Sequence, residues 1–334
     1  MDKNVTVSII MPTYNSAKFV KKAIESILLQ TFQDFELLIV DDCSTDHTLG
    51  IVQTMRHEKI RLFHTPHNLG AAGARNLGMA EARGRYIGFL DADDYAYPQR
   101  LEEQVGFLEQ NPDIDLLGTW TEVANENDEI ISYFKLNFSS EEIPMRLLFQ
   151  NCFALSSVMM RNKFTAVVFD GQYAPAEDYE YWTRLAKKAR FAIIPSILTR
   201  YLEHSQGISK VKQDRMRQNV RQIITKQLND LGIIPNEKEY ELHQQIAHFE
   251  FCTSKDFLSA SHQWLHKLLK INELESKYPD FIFSKILANY WVKICLAHAT
   301  LGFYTLQHFL KSPFRKYISW SFHIKVFLLC LKFW

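Results

Sequence analysis

Three groups of side chains in this sequence have types and spacings suited to chemistry. The densest is Asp91-Ala92-Asp93-Asp94, three carboxylates within four residues, following the short apolar run 85–90. Clustered carboxylates repel one another and are costly to desolvate, so a partly buried group of them needs a compensating cation. A hard divalent ion with oxygen ligands, Mg²⁺ or Mn²⁺, is the natural candidate. The alternative is a solvated acidic turn capping the helix that starts near Pro98, because Asp and Pro are ordinary turn and N-cap residues. The second group is Glu177-Asp178, two carboxylates at the expected start of a helix that turns Trp182 and Leu185 inward. A helix dipole favours acidic residues there without any catalytic role. The third is Gly70-Ala71-Ala72-Gly73-Ala74-Arg75-Asn76, whose small residues let a backbone approach a ligand and whose Arg75 could reach a phosphate. Close packing of a helix on a sheet accounts for the same small residues, and the two readings are compatible.

The elements around these groups alternate in type. Residues 5–11 form a continuous β-branched and apolar run, the pattern of a strand buried on both faces of a parallel sheet. Pro12-Thr13-Tyr14-Asn15 breaks it, and Val20, Ile24, Ile27 and Leu28 then fall on one helical stripe. A second strand over 35–40 ends in Asp41-Asp42-Cys43-Ser44-Thr45-Asp46, which offers several N-caps for a helix to about Met55. A third strand over 60–64, a helix over 71–82 and the strand before the acidic stretch follow. Leu101, Val105 and Leu108 share the face of the next helix. Strands alternating with helices mean βαβ units and a parallel sheet covered on both sides. Ligands in such sheets bind beyond the carboxyl ends of the strands. Three of those ends carry unusual polar groups, at 12–15, 41–46 and 91–94, and their convergence on one rim favours a site over a turn. Residues 113–163 mix strand-like runs (116–117, 130–134, 156–160) with one helix near 141–149, read as the rest of the sheet with an acceptor-side subdomain. No G-x-G-x-x-G follows the first strand and no G-x-x-x-x-G-K-[ST] occurs, so dinucleotide and P-loop binding are unsupported.

Composition narrows the classes further. The 334 residues suffice for one large or two ordinary domains, and 47% apolar residues support a sizeable core. Lys plus Arg equals Asp plus Glu at 38 each, which gives no nucleic-acid signal. That balance hides a split. Residues 281–334 contain no Asp or Glu and seven Lys or Arg, leaving the first 280 residues with 31 basic against 38 acidic side chains. Such asymmetry points to a surface partner. The five cysteines are scattered, odd in number and free of C-x-x-C pairs, which suits a reducing cytosol rather than a disulfide framework or zinc site. Met1-Asp2-Lys3-Asn4 leads straight into a strand, so no secretory leader is expected, and no apolar run is long enough for a spanning helix.

The motif series resembles family 2 inverting glycosyltransferases of the GT-A fold. The resemblance is carried by Val7-Ser8-Ile9-Ile10-Met11-Pro12-Thr13-Tyr14-Asn15, by the stretch from Gln30 through Val40-Asp41-Asp42-Cys43-Ser44-Thr45-Asp46, and by Asn68-Leu69-Gly70 with Ala74-Arg75-Asn76. Gly84 through Leu90-Asp91-Ala92-Asp93-Asp94 and the Glu177-Asp178 pair complete it. Any one of these motifs is weak; five in this order and spacing are specific. The match runs over about residues 5–210. It implies a GT-A domain over 1–210, with a nucleotide-sugar-binding half (1–112) and an acceptor half (113–210), followed by a helical region over 211–334. The segments 118–123 and 176–182 look most like bacterial enzymes that extend lipooligosaccharide, O-antigen or capsule with N-acetylglucosamine or galactose.

By that resemblance Pro12, Tyr14 and Asp42 line a uracil pocket and Arg75 lies near the nucleotide. Asp91 and Asp93 form a D-x-D pair, one contacting ribose and the other helping to hold Mn²⁺ or Mg²⁺ on the diphosphate, with Asp94 as a close alternative ligand. Asp178 is the expected general base, supported by Glu177. The family's frequent Tyr-Arg-x-His is here Tyr201-Leu202-Glu203-His204, with Arg200 adjacent and Ser209 later. His204 is a candidate metal or diphosphate contact, or a surface histidine. The implied partners are a UDP-sugar and a glycan or lipid-linked oligosaccharide. Two other readings remain beside this one: a sugar nucleotidyltransferase, which would want a basic glycine-rich triphosphate loop after the first strand, and a degenerate sugar-nucleotide-binding scaffold. In the last segment Trp320, Ile324, Phe327, Leu328 and Leu331 share one helical face, with Ser321, Lys325 and Lys332 on another. That pattern suits peripheral binding to the anionic inner face of the cytoplasmic membrane, or packing of a terminal helix.

Overall fold

Strands buried at every position form the centre of the sheet. They are β1 (Val7–Thr13) and β2 (Phe35–Asp41), as continuous apolar runs in a parallel sheet require. The structure is a computed structural model that describes residues 5–164, 166–205 and 207–333; Met1-Asp2-Lys3-Asn4 and the Ser209 side chain, both used above, lie outside the described residues. Contact within the chain divides it into two compact units, Met1–Ile143 with Asn151–Arg221, and Pro144–Gln150 with Gln222–Trp334.

In the first unit β1 pairs in parallel with β2 and with β4 (Tyr86–Phe89), and β2 with β3 (Ile60–His64). Helices α1 (Val20–Leu28), α2 (Thr48–Thr54) and α3 (Gly70–Glu81) make the crossovers. The apolar stripes behave as their spacing predicts. Val20, Ile24 and Ile27 are buried, as are Leu101, Val105 and Leu108 of α4 (Arg100–Gln110). Beyond β4 the order continues through β8 (Met159–Arg161), β6 (Leu116–Ala124), β9 (Phe191–Leu202) and β5 (Tyr95–Ala96), with β7 (Ile130–Phe134) on the outside of β6. β6 and β9 are parallel, whereas β8 is antiparallel to both of its neighbours. β8 is followed in the chain by α6 (Glu177–Leu185) and preceded by a one-turn helix, α5 (Ile143–Arg146), whose residues from Pro144 on belong to the second unit.

This topology gathers chain segments at one rim. β1, β2 and β4 point the same way, so Thr13, Asp41 and the acidic stretch after Phe89 finish side by side. β8 runs against β4, which brings the short 3-10 turn Leu155–Ser157 to the carboxyl end of β4. β6 and β9 again run with β4, so the residues after Leu202 arrive there too. β9 is absent from the sequence expectations because Pro195 interrupts its apolar pattern. The sheet absorbs that residue: Thr119 pairs with Ile194 and Trp120 with Ile197, so Pro195 and Ser196 fall in a bulge that needs no ladder N–H.

After α7 (Ile208–Val211), α8 (Gln213–Asp230) leads into the second unit, which contains α9 (Glu237–Ala247), α10 (Lys255–Glu275), α11 (Asp280–Ala297), α12 (Phe303–Lys311) and α13 (Trp320–Leu331). Asn236 and Glu239 form a capping box on α9, and the Ser254 hydroxyl caps α10. Trp264, Phe283 and Trp291 are buried at its centre. Among the described residues no helix is long and apolar enough to cross a membrane.

Two glycines give opposite expectations for stability. A Cβ on Gly84 would lie 2.4 Å from the Ser8 backbone nitrogen and 2.8 Å from the Tyr86 carbonyl oxygen. Both neighbours are backbone atoms of paired strands, which cannot swing aside as a side chain can, so Gly84→Ala should cost about 1–3 kcal/mol or more. Gly106, inside α4, has nothing within 4 Å of its Cβ position, and Gly106→Ala should stabilise by about 0.5–1 kcal/mol. Thermal melts of the two variants should move in opposite directions.

Candidate active site

Arg75, which α3 directs at the rim, joins two acidic groups that are distant in sequence. One guanidinium nitrogen donates to Asp91 at 2.8 Å and the other to Glu177 at 2.7 Å. Arg75 is 4% exposed and Glu177 6%, so this is a buried bridge. Burial works against the guanidinium charge, but the two carboxylates outweigh it and raise the Arg75 pKa above its ordinary value. Asp91 is pushed upward by burial in spite of Arg75. Its N–H donates to the Ser156 hydroxyl at 3.0 Å.

The other aspartates of the stretch have different surroundings. Asp94 is buried, accepts from the Ser156 hydroxyl, and accepts from Leu202 N–H at 3.0 Å. Burial, then Asp93 and Asp91, push its pKa well up. Behind it Arg100 is fully buried, donating to the carbonyl oxygens of Phe89 at 2.9 Å and Val158 at 3.2 Å, with its pKa pushed down to about 9 by burial. Asp93 is more open and lies 2.9 Å from Nε2 of His204. His204 is not a surface residue: it is 7% exposed and packs on the Phe19 ring at 4.6 Å. Its Nδ1 is buried with no hydrogen-bond partner among the described residues. Asp93 and Asp94 line a cavity of about 170 Å³. Among the described residues no set of three or more His, Cys, Asp or Glu is arranged around a common metal position.

Across the rim α6 begins with Glu177 and Asp178. Asp178 is half-buried and accepts from its neighbour Tyr179 N–H at 2.7 Å and from Asn151 Nδ2 at 2.9 Å. Burial, and then the adjacent Glu177 charge, push its pKa up to about 7 against the pull of those bonds and of Arg75. A half-buried carboxyl titrating near neutrality is suited to taking up a proton at physiological pH.

At the ends of β1 and β2, Pro12 is buried and the Tyr14 ring is half-exposed. The buried Asp42 carboxylate accepts from Thr65 Oγ1 at 2.7 Å, Leu69 N–H at 2.8 Å and Gly70 N–H at 2.7 Å. It thereby shapes the loop in which Gly70 takes a positive φ of 73°.

The sequence pattern that defines glycosyl transferase family 2 matches residues 8–169. An uncharacterised glycosyltransferase of Methanocaldococcus jannaschii is 34% identical over 225 residues, covering 65% of this chain and 77% of that protein. The chain belongs to glycosyltransferase family 2. A 32% identical relative from Escherichia coli, matched over 62% of this chain and 80% of its own length, is named UDP-Glc:alpha-D-GlcNAc-diphosphoundecaprenol beta-1,3-glucosyltransferase. The solved structure of Staphylococcus aureus TarS 1-349 with UDP-GlcNAc superposes with a TM-score of 0.57 at 20% identity, covering 93% of this chain and 89% of that one. A Pyrobaculum calidifontis mannosyltransferase solved with GDP-Man and Mn²⁺ gives 0.54 at 17% identity, covering 99% and 88%. The fold is GT-A, and membership of this family sets aside the nucleotidyltransferase reading.

Three residues of this glycosyltransferase's rim carry no sequence signal. Ser156 falls in what reads as a strand, and Arg100 and Asn151 lie in no motif. Arg75 gives the test of the bridge. Removing one partner of a buried ion pair typically costs about 3–5 kcal/mol, and a lysine cannot reproduce the fork. Arg75→Met should lower the melting temperature and abolish turnover. Arg75→Lys should fold yet lose more than about tenfold in rate, the step set by one lost charged hydrogen bond. A Lys variant with full activity would show that the fork is dispensable.

Proposed function

We propose that this enzyme transfers a hexose or N-acetylhexosamine from a UDP-sugar to a lipid-linked glycan of the lipooligosaccharide, O-antigen or capsule type, by single displacement with inversion. The observation that carries the mechanism is the Asp178 carboxyl, held by Asn151 and raised to about 7. On this reading Asp178 accepts the proton of the attacking acceptor hydroxyl while Glu177, fixed by Arg75, holds the start of α6 in place. The donor and the undecaprenol-linked acceptor in the name of the E. coli relative support the substrate classes.

The nucleotide end follows the same logic. The half-exposed Tyr14 ring offers a stacking face for uracil beside Pro12. Asp42 has three protein donors, and a carboxylate has about four acceptor sites, which leaves room for one N–H of the base. On this reading Asp91 contacts ribose, its carboxylate held by Arg75 and its backbone N–H by Ser156. For the divalent cation, Asp93 and His204 are the fitting residues, while Asp94 already serves Ser156 and Leu202. Two protein groups suit Mg²⁺ or Mn²⁺, which commonly take one or two side chains and complete their shell with substrate phosphate and water. The ion supplies positive charge for the departing diphosphate.

The second unit adds a surface. On α13 Trp320 is 81% exposed, Ile324 54%, Phe327 46% and Leu328 55%, whereas Val326 and Cys330 are buried. Exposed Lys325 and Lys332 flank this face, and no acidic residue occurs after Asp280. Apolar area with basic flanks complements an anionic bilayer, and this reading has the enzyme working peripherally at the cytoplasmic face, where a lipid-linked acceptor is displayed.

Transfer should be screened across UDP-sugars with Mn²⁺ or Mg²⁺ and with EDTA. Chelation should abolish turnover and either ion restore it; turnover indifferent to EDTA counts against the metal. Asp178 must be ionised to act, so kcat/KM should fall tenfold per unit as pH drops below about 7. Asp178→Asn should lose about 10²–10⁴ in rate, and full transfer by that variant removes it as the base. Vesicles containing phosphatidylglycerol should float the intact protein, and vesicles of phosphatidylcholine alone should not. Trp320→Glu with Leu328→Glu should end flotation, and unchanged flotation would rule out α13 as the membrane surface.

A further inference from the structure

Both halves of the site meet on one loop, residues 151–157. At its start the Asn151 amide donates to Asp178 at 2.9 Å. Near its end Ser156 accepts from Asp91 N–H at 3.0 Å and donates to the Asp94 carboxylate. Asn151 Oδ1 in turn accepts from Phe153 N–H at 3.2 Å, which turns the amide nitrogen toward Asp178. Phe153 is the anchor of the loop. It is 2% exposed, and its ring fits over Gly118 of β6, where a Cβ would come within 2.5 Å of it. Its ring centroid lies 6.0 Å from that of Trp182 on α6 and 5.6 Å from that of Phe191 on β9. The far end is tied by Gln104 Nε2, which donates to Ser157 O at 2.8 Å.

The charged groups around Asp178 are Glu177, which disfavours its ionised form, and Arg75, which favours it. Tyr179 N–H and Asn151 are the neutral donors. A neutral donor has a specific advantage for a base. It favours the carboxylate without the strong stabilisation that a second cation would bring, which would leave the base ionised but weak. We propose that Asn151 is a positioning residue for glycosyl transfer, its amide fixing the Asp178 carboxylate in orientation and in the ionised form. This rests on Asp178 being the base.

The test is the pH dependence of kcat/KM for Asn151→Ala and Asn151→Asp beside the unaltered enzyme and Asp178→Asn. Loss of one donor to a charged acceptor should move the acidic limb of Asn151→Ala upward by about one unit. Its rate should then fall about tenfold at pH 6, recover most of that by pH 9, and leave the donor KM unchanged. Asn151→Asp adds a like charge and should move the limb further. An equal loss at every pH, with the limb in place, makes Asn151 structural only and overturns the inference. Should Asn151→Ala fail to fold, Asn151→Leu, which keeps the side-chain shape, carries no charge and has no donor, gives the same comparison. The two failures are separable: full activity in Asp178→Asn defeats the base assignment, whereas an inactive Asp178→Asn beside an unmoved limb defeats the role of Asn151 alone.

Discussion

The bridge from Arg75 to Asp91 and Glu177 is the constraint on which the rest of the rim depends. Asp91, Asp93, Asp94, Glu177 and Asp178 crowd into one region, and carboxylates in such numbers cannot be desolvated without positive charge. Arg75 meets this requirement in a way that also fixes distance. Its fork holds residues 91 and 177 at opposite sides of one guanidinium, so the end of β4 and the start of α6 cannot separate without leaving a buried charge unpaired. The cost of breaking such a pair, rather than the net gain of forming it, is what makes the arrangement rigid.

A second guanidinium acts behind the rim. Arg100 is anchored to the Phe89 and Val158 carbonyl oxygens and faces Asp94. Asp94 itself joins Ser156 to Leu202, and so ties the loop before β8 to the end of β9. Its work is internal. The same antiparallel step at β8 that makes the sheet mixed also makes this possible, because it returns the chain to the end of β4 from the opposite direction. Asp93 is therefore left without a role in these ties, more open than Asp94 and beside His204.

How much of this the sequence disclosed varies with the range of the interaction. Residues 7–13 and 35–41 are each apolar at five of seven positions, and short runs so rich in β-branched and apolar residues suit strands buried on both faces. The ordered spacing of the polar strand ends sufficed to name the family and the rim. What stayed hidden was which polar group answers which. Arg75 sits on a small-residue helix and read as a phosphate contact, but its partner Glu177 lies 102 residues on. Asn151 and Asp178 are 27 residues apart with a strand between them. Each pairing is decided by the order of strands in the sheet, which no local pattern encodes. β9 was lost for a related reason: Pro195 argues against a strand locally, and only the bulge opposite Thr119 and Trp120 reconciles it with the ladder.

The adjacency of Glu177 and Asp178 looks at first like a redundancy, two carboxylates where one base is wanted. Helical geometry removes it. Consecutive residues project about 100° apart around a helix axis, so the two side chains enter different surroundings although their backbones touch. Glu177 turns to a buried cation and pairs with it. Asp178 turns to a neutral amide and stays half-exposed. The adjacent Glu177 carboxylate is, after burial, the largest influence raising the Asp178 pKa. One carboxylate is thus paired with a guanidinium while the next is pushed up to about 7. The helix start, whose dipole accounts for acidic residues in general, divides them here between an ion-pair partner and a proton acceptor.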